Sequence, residues 1–207
     1  MSVKFCWFNL MPWPDLPDDF RETQRSVWVD IPSTLFDPER ANHVYNEYID
    51  QLVYADAVGF DGVGVNEHHQ NAYGLMPSPN IIAATLARRT SEAAICVIGN
   101  SIALYNPPIR VAEEFAMLDV ISGGRLVAGF PVGTPMDTNF CYGQIPALTR
   151  DKYYEAHELI KRAWIRSLRS ALVQVRSGSS ASRLAVASQP MASPVNRNVK
   201  SVCFCLD

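Results

Sequence analysis

The chain has 207 residues, 48% of them hydrophobic and 19% charged, which excludes fibrous and fully disordered classes and supplies material for one sizeable core. No apolar run approaches the ~20 residues a membrane helix needs, and the opening residues lack the apolar stretch of a secretory signal. A cytoplasmic protein with no membrane partner is therefore expected. The formal charge of −3 hides an asymmetry: residues 1–164 carry 12 Lys and Arg against 20 Asp and Glu, whereas residues 165–207 carry 6 against 1.

In chain order, Val- and Ile-rich apolar runs alternate with helix-period segments, the pattern of a parallel sheet with crossover helices. The first strand is predicted over residues 3–10, followed by a Pro- and Asp-rich loop through Leu35. Asp37-Pro38 opens a helix as N-cap and first-turn proline; Val44, Tyr48, Leu52 and Ala55 form its apolar stripe, and Gly59 stops it. Strand two is predicted at 62–65 and runs into Asn66-Glu67-His68-His69. Ser78-Pro79 starts the next helix, with Ile82, Leu86 and Arg89 on one side.

Strand three is predicted over 94–104. Pro107-Pro108 then lead into a helix that turns Val111, Phe115 and Leu118 to the sheet, ended by Ser122-Gly123-Gly124. Strand four spans 125–130, residues 139–146 are read as a loop over a pocket mouth, and Thr149 is read as the cap of a helix reaching Trp164. Repeats of this spacing build (β/α)8 barrels of roughly 250 residues. Four units are present here. The competing doubly wound sheet would need Gly-x-Gly-x-x-Gly, but Gly62-Val63-Gly64 reaches Glu67 where the third glycine belongs.

Residues 165–207 hold 9 of the 16 serines and only one of the 21 aromatics, Phe204. Such a segment has little with which to build a core and is expected to be a disordered extension. A basic arm for nucleic acid is the other reading, disfavoured because no aromatics are interleaved to stack on bases. Five cysteines give no disulfide framework, and Cys6 and Cys96, lying in apolar runs, are expected to behave as small buried hydrophobes.

Glu67-His68-His69 stands at the carboxyl end of strand two, where α/β folds place active sites. Three readings of it compete. A metal centre lacks spaced ligands, since His43 and His157 fall on predicted helices. An ion pair between Glu67 and one histidine would tie down the following loop. A proton donor or acceptor working near neutral pH suits imidazole. Two further segments reach the same rim, Gly99-Asn100-Ser101-Ile102 and Gly129-Phe130-Pro131-Val132-Gly133, whose small residues would let a flat ligand approach the backbone.

As an ordered set, three stretches resemble the bacterial-luciferase-like family of flavin-dependent monooxygenases and oxidoreductases. They are Ala57-Val58-Gly59-Phe60-Asp61-Gly62 leading to Glu67-His68-His69; Asn106-Pro107-Pro108-Ile109-Arg110-Val111-Ala112-Glu113-Glu114 with Leu118-Asp119; and Ser122-Gly123-Gly124-Arg125-Leu126. The resemblance covers residues 3 to about 164. It implies the N-terminal half of a (β/α)8 barrel that binds reduced FMN, supplied by a separate flavin reductase, and lets it react with dioxygen and a small-molecule substrate. It implies catalysis by His68, with Glu67, Asn100, Ser101 and Ile102 at the cofactor, and a non-proline cis peptide near Ser101-Ile102. A deazaflavin-dependent oxidoreductase is the alternative enzyme, and a non-catalytic fragment or binding protein the alternative outside enzymes. Light-emitting members carry cysteine and arginine where this chain has Pro131 and Val132, so luminescence is not expected. The family's later strands and much of its FMN phosphate site are not matched. Impaired activity and self-association through the open edges of strands one and four are expected to follow.

Overall fold

Asp37 opens the first long helix as expected: its carboxylate accepts the Arg40 backbone N–H at 2.8 Å, and Pro38 fills the first turn, where no N–H is needed. The structure is a computed structural model that describes residues 3–132 and 136–165 and, beyond them, the backbone of three short strands. Its elements are β1 (Cys6–Phe8), α1 (Phe20–Thr23), α2 (Pro38–Ala57), β2 (Gly62–Val65), α3 (Pro79–Arg89), β3 (Ala94–Val97), α4 (Ile109–Ser122), β4 (Leu126–Gly129), α5 (Met136–Tyr142), α6 (Pro146–Ile165), β5 (Gln174–Val175), β6 (Ser182–Arg183) and β7 (Lys200–Val202). None of the described helices is long and apolar enough to cross a membrane.

The sheet runs β1-β2-β3-β4-β7, all pairs parallel. From β1 to β4 each strand lies beside its sequence neighbour, with no reversal of order. A doubly wound sheet needs a switch point, and none occurs from β1 to β4. Alternation along the strands turns Val63, Val65, Ile95, Val97, Leu126 and Ala128 into one buried core with Leu52, Leu86, Val111, Phe115 and Leu118 of the covering helices. The opposite face holds the small residues Gly62, Gly64, Ala94 and Cys96, with Cys6 and Phe8 in register on β1.

Several expectations are corrected. β1 covers three residues and, among the described residues, is an edge strand bonded to β2. β3 ends at Val97, and the polar Asn100-Ser101 lead into a single 3-10 turn at Ile102–Leu104; a side chain at Gly99 would meet Asn66, so the chain there cannot continue as a ladder of bulkier residues. The peptide at Ser101-Ile102 is trans, and the cis bond among the described residues is Asn106-Pro107. Residues 136–142 form α5 in place of loop, and α6 begins at Pro146, so Thr149 lies inside it with its hydroxyl donating to the Ile145 carbonyl at 3.2 Å. Cys6 is exposed and Cys96 half-buried. β4 does not keep an open edge, since Lys200, Ser201 and Val202 pair with Val127, Ala128 and Gly129. The rest of the serine-rich segment, apart from the β5–β6 pair, lies outside the described residues.

The loop before β3 is held by Asp56, whose carboxylate accepts the N–H groups of Ser91 (2.9 Å), Glu92 (3.1 Å) and Ala93 (2.6 Å). Burial pushes this carboxyl up, but the three N–H groups outweigh it and hold it below its ordinary value. A depressed folded-state pKa contributes stability above the unfolded-state value and loses it as pH falls through the folded one. Asp56→Ala is expected to cost about 1–2 kcal/mol near neutral pH. The difference from wild type should shrink in urea melts taken below the carboxylate range, and a pH-independent cost would contradict the assignment.

Candidate active site at the carboxyl rim of the sheet

β2 ends in Val65, and the chain leaves the sheet through Asn66, Glu67, His68 and His69. Alternation separates the two imidazoles. His69 turns inward, 3% exposed, and its Nε2 lies 2.8 Å from Glu67 Oε1. With that nitrogen carrying the proton, Nδ1 accepts from the Tyr142 hydroxyl of α5 at 3.4 Å. His68 turns the other way, against Trp28 (ring centroids 5.5 Å) and Tyr73 (5.0 Å). It lines a cavity of about 400 Å³ with Trp13, Ile31, Phe36, Tyr45 and Leu75, where the buried Trp13 indole N–H has no acceptor.

Glu67 is the hub of the rim. Its Oε2 accepts the Ser101 backbone N–H at 2.9 Å and the Tyr105 hydroxyl at 3.3 Å, which ties the end of β2 to the turn after β3. Burial, the Glu67 charge and that hydrogen bond push the Tyr105 phenol well above its ordinary range, so it stays a donor. Asn100, fully buried, donates to Asn80 Oδ1 (3.1 Å) and to the Tyr105 oxygen (3.4 Å), and Asn80 donates to Glu114 Oε2 at 2.7 Å. One polar chain thus runs from Glu114 on α4 through Asn80, Asn100, Tyr105 and Glu67 to His69. Among the described residues, neither the buried Asn100 Oδ1 nor the buried Asn66 Oδ1 has a donor. Ile102 is fully buried in the apolar core.

The structure brings Glu67, Asn100 and Ser101 together at one rim, while the side chain of the neighbouring Ile102 packs into the core. Asn80, Tyr105 and Glu114 were not picked out as site residues, although Glu114 lies in a stretch quoted for the resemblance. Their roles depend on contacts across 20 to 38 residues of sequence, which no local pattern announces. The glycines act differently from expectation. A Cβ at Gly99 would lie 2.7 Å from the Asn66 Cβ, and one at Gly129 2.7 Å from the Val97 carbonyl oxygen, so both serve close approach of strand to strand rather than of ligand to backbone.

The model of the luciferase-like monooxygenase family matches residues 28–194. The chain belongs to that family. Among its relatives it is 33% identical over 97 residues to the oxygenase component of flavin-dependent trigonelline monooxygenase of Acinetobacter baylyi, a stretch covering 47% of this chain and 27% of that one. Two solved structures share the fold. The FMN-bound oxygenating constituent of 3,6-diketocamphane monooxygenase of Pseudomonas putida superposes with TM-score 0.62 at 19% identity, covering 81% of this chain and 40% of that one. An F420-dependent secondary alcohol dehydrogenase superposes with TM-score 0.64 at 20% identity, covering 98% and 52%. This member of the luciferase-like family therefore spans about half the length, or less, of the structures it matches.

Proposed function

We propose that this chain supplies the flavin-facing rim of a monooxygenase that takes reduced FMN from a separate reductase and oxygenates a small organic molecule. The observation that carries the reading is the pair of unpartnered amide oxygens, Asn66 Oδ1 and Asn100 Oδ1, buried at the rim beside Glu67. A buried acceptor without a donor costs about 1–3 kcal/mol, so a flat ring bearing N–H groups fits a need already built into the site. When bound, reduced flavin supplies the electrons for dioxygen chemistry. Asn100, Ser101 and Ile102 would hold the ring with Glu67 fixing the turn they stand on, and His68, the imidazole facing a cavity, would move a proton. The trigonelline relative's designation as an oxygenase component supports a partner reductase. The 207-residue chain alone is expected to turn over poorly, because four βα units make only part of a water-excluding wall.

The test combines the chain with a flavin reductase and follows dioxygen uptake and incorporation of labelled oxygen into product. Reduced FMN should bind anaerobically, with weaker binding in Asn100→Leu, and failure of reduced FMN to bind at all would overturn the reading. His68→Ala is expected to leave FMN affinity within about twofold and the circular dichroism unchanged, and to lower turnover about 100-fold, the usual worth of a positioned proton-transfer group. Unchanged turnover would remove His68 from the mechanism. A deazaflavin enzyme is the second reading, supported by the fold shared with the F420-dependent dehydrogenase; it would reduce the deazaflavin from an alcohol and consume no dioxygen.

A further inference from the structure

On the sheet face turned away from the helices, Cys6 of β1 stands opposite Gly62 of β2, and Gly64 of β2 stands opposite Cys96 of β3. The two thiols lean from either side over the intervening strand, above Gly62. A Cβ on Gly62 would lie 3.2 Å from Cys96 Sγ and 3.4 Å from Cys6 Sγ, and one on Gly64 3.5 Å from Cys6 Sγ, so the absence of both side chains opens the slot. Each sulfur is also within 3.9 Å of a carbonyl oxygen of its own strand, Trp7 for Cys6 and Ala94 for Cys96.

A disulfide does not fit this placement. The thiols belong to strands two places apart in the sheet, about 9.6 Å between backbones, whereas a disulfide spans Cα separations up to about 6.8 Å. Among the described residues no group of three or more His, Cys, Asp and Glu gathers, so the two sulfurs have no third ligand of that kind. The side chains of Phe8 and Ile98 beside the slot are apolar, the Ala94 carbonyl oxygen faces it, and Cys6 is exposed, which leaves a path from solvent. Two thiolates with no hard ligand select soft closed-shell cations over zinc, which takes four ligands, and over magnesium or calcium, which take oxygen.

We propose that Cys6 and Cys96 form a two-thiolate site for a soft monovalent cation, of which Cu(I) is the natural probe. On binding, the S–H bond of Cys96, and that of Cys6 wherever it is protonated, breaks and the proton leaves to solvent. Each thiolate donates a lone pair to the metal, and no electron changes hands.

The test is anaerobic competition for Cu(I) against a bathocuproine disulfonate chelator. It uses the full chain carrying Cys203→Ser and Cys205→Ser, which removes the other cysteine pair. One equivalent should bind, with a thiolate-to-copper absorbance in the near ultraviolet and between one and two protons released. Cys6→Ser and Cys96→Ser should each weaken binding at least tenfold, and Cys141→Ser should not. Gly62→Ala keeps both thiols but places a methyl group between them, and it too should weaken binding at least tenfold with the circular dichroism unchanged. Binding that survives Cys6→Ser or Gly62→Ala in folded protein, or a Cys6–Cys96 disulfide recovered from folded protein, would overturn the site. If a cysteine variant fails to fold, Gly62→Ala alone decides.

Discussion

Arg125→Ala is expected to lower the unfolding free energy by about 3 kcal/mol or more, the largest loss among single substitutions outside the buried core. Its guanidinium makes five hydrogen bonds. Nε donates to the Ser122 carbonyl (2.8 Å), Nη1 to the Thr90 hydroxyl (2.8 Å) and the Ala93 carbonyl (2.7 Å), and Nη2 to the carbonyls of Ala87 (3.1 Å) and Thr90 (3.0 Å). These acceptors end α3, start β3 and end α4, so one side chain joins three elements to β4. A cation at the carbonyl end of α3 also meets the negative end of that helix's dipole. Gly123 and Gly124, with φ of 71° and 85°, make the reversal that returns Arg125 to Ser122, which explains the Ser-Gly-Gly-Arg stretch physically. Arg125→Lys should recover only part of the loss, because an ammonium has three donors and no planar fork. Urea denaturation should show a lower midpoint with unchanged slope. A loss below about 1 kcal/mol in the alanine variant would mean that water replaces these bonds at little cost.

That example shows what was legible in the sequence. Punctuation and periodicity placed α2, α3 and α4 nearly to the residue, because Asp37-Pro38, Ser78-Pro79 and Gly123 act on the backbone locally. The stop at Ser122-Gly123-Gly124 was readable, but the fork of Arg125 was not, since its acceptors lie up to 38 residues away. Ile98, Ile102 and Leu104 extend the apolar pattern of β3 past Val97, yet the crossing of Gly99 over Asn66 bends the chain into a turn. Two adjacent histidines announced a site, and alternation separated their faces. A pairing of Glu67 with one of the two histidines is legible in the Glu-His-His tripeptide, and the fold assigns it to His69. The further links to Ser101 and Tyr105 required the fold.

Glu67→Ala should be the most damaging change at the rim. It leaves the Ser101 N–H, the Tyr105 hydroxyl and one nitrogen of His69 without their common acceptor, in a place where Glu67 is 5% and Ser101 4% exposed. Each buried donor stranded this way costs about 1–3 kcal/mol, so a loss of about 3 kcal/mol is expected even if one finds water. Glu67→Gln separates packing from proton arrangement. Its carbonyl oxygen can still accept from Ser101, but its NH₂ group then faces His69, whose Nε2 must become the acceptor. The proton then moves to Nδ1, and the Tyr142 hydroxyl turns from donor to acceptor at the 3.4 Å contact. The expected result is a stability loss of no more than about 1.5 kcal/mol, smaller than for alanine. Nitrogen NMR of His69 should meanwhile show the proton exchanged between its two ring nitrogens. If Glu67→Gln leaves the His69 tautomer unchanged, the Glu67 side chain does not set the proton arrangement of that ring, and the polar chain from Glu114 ends at Glu67.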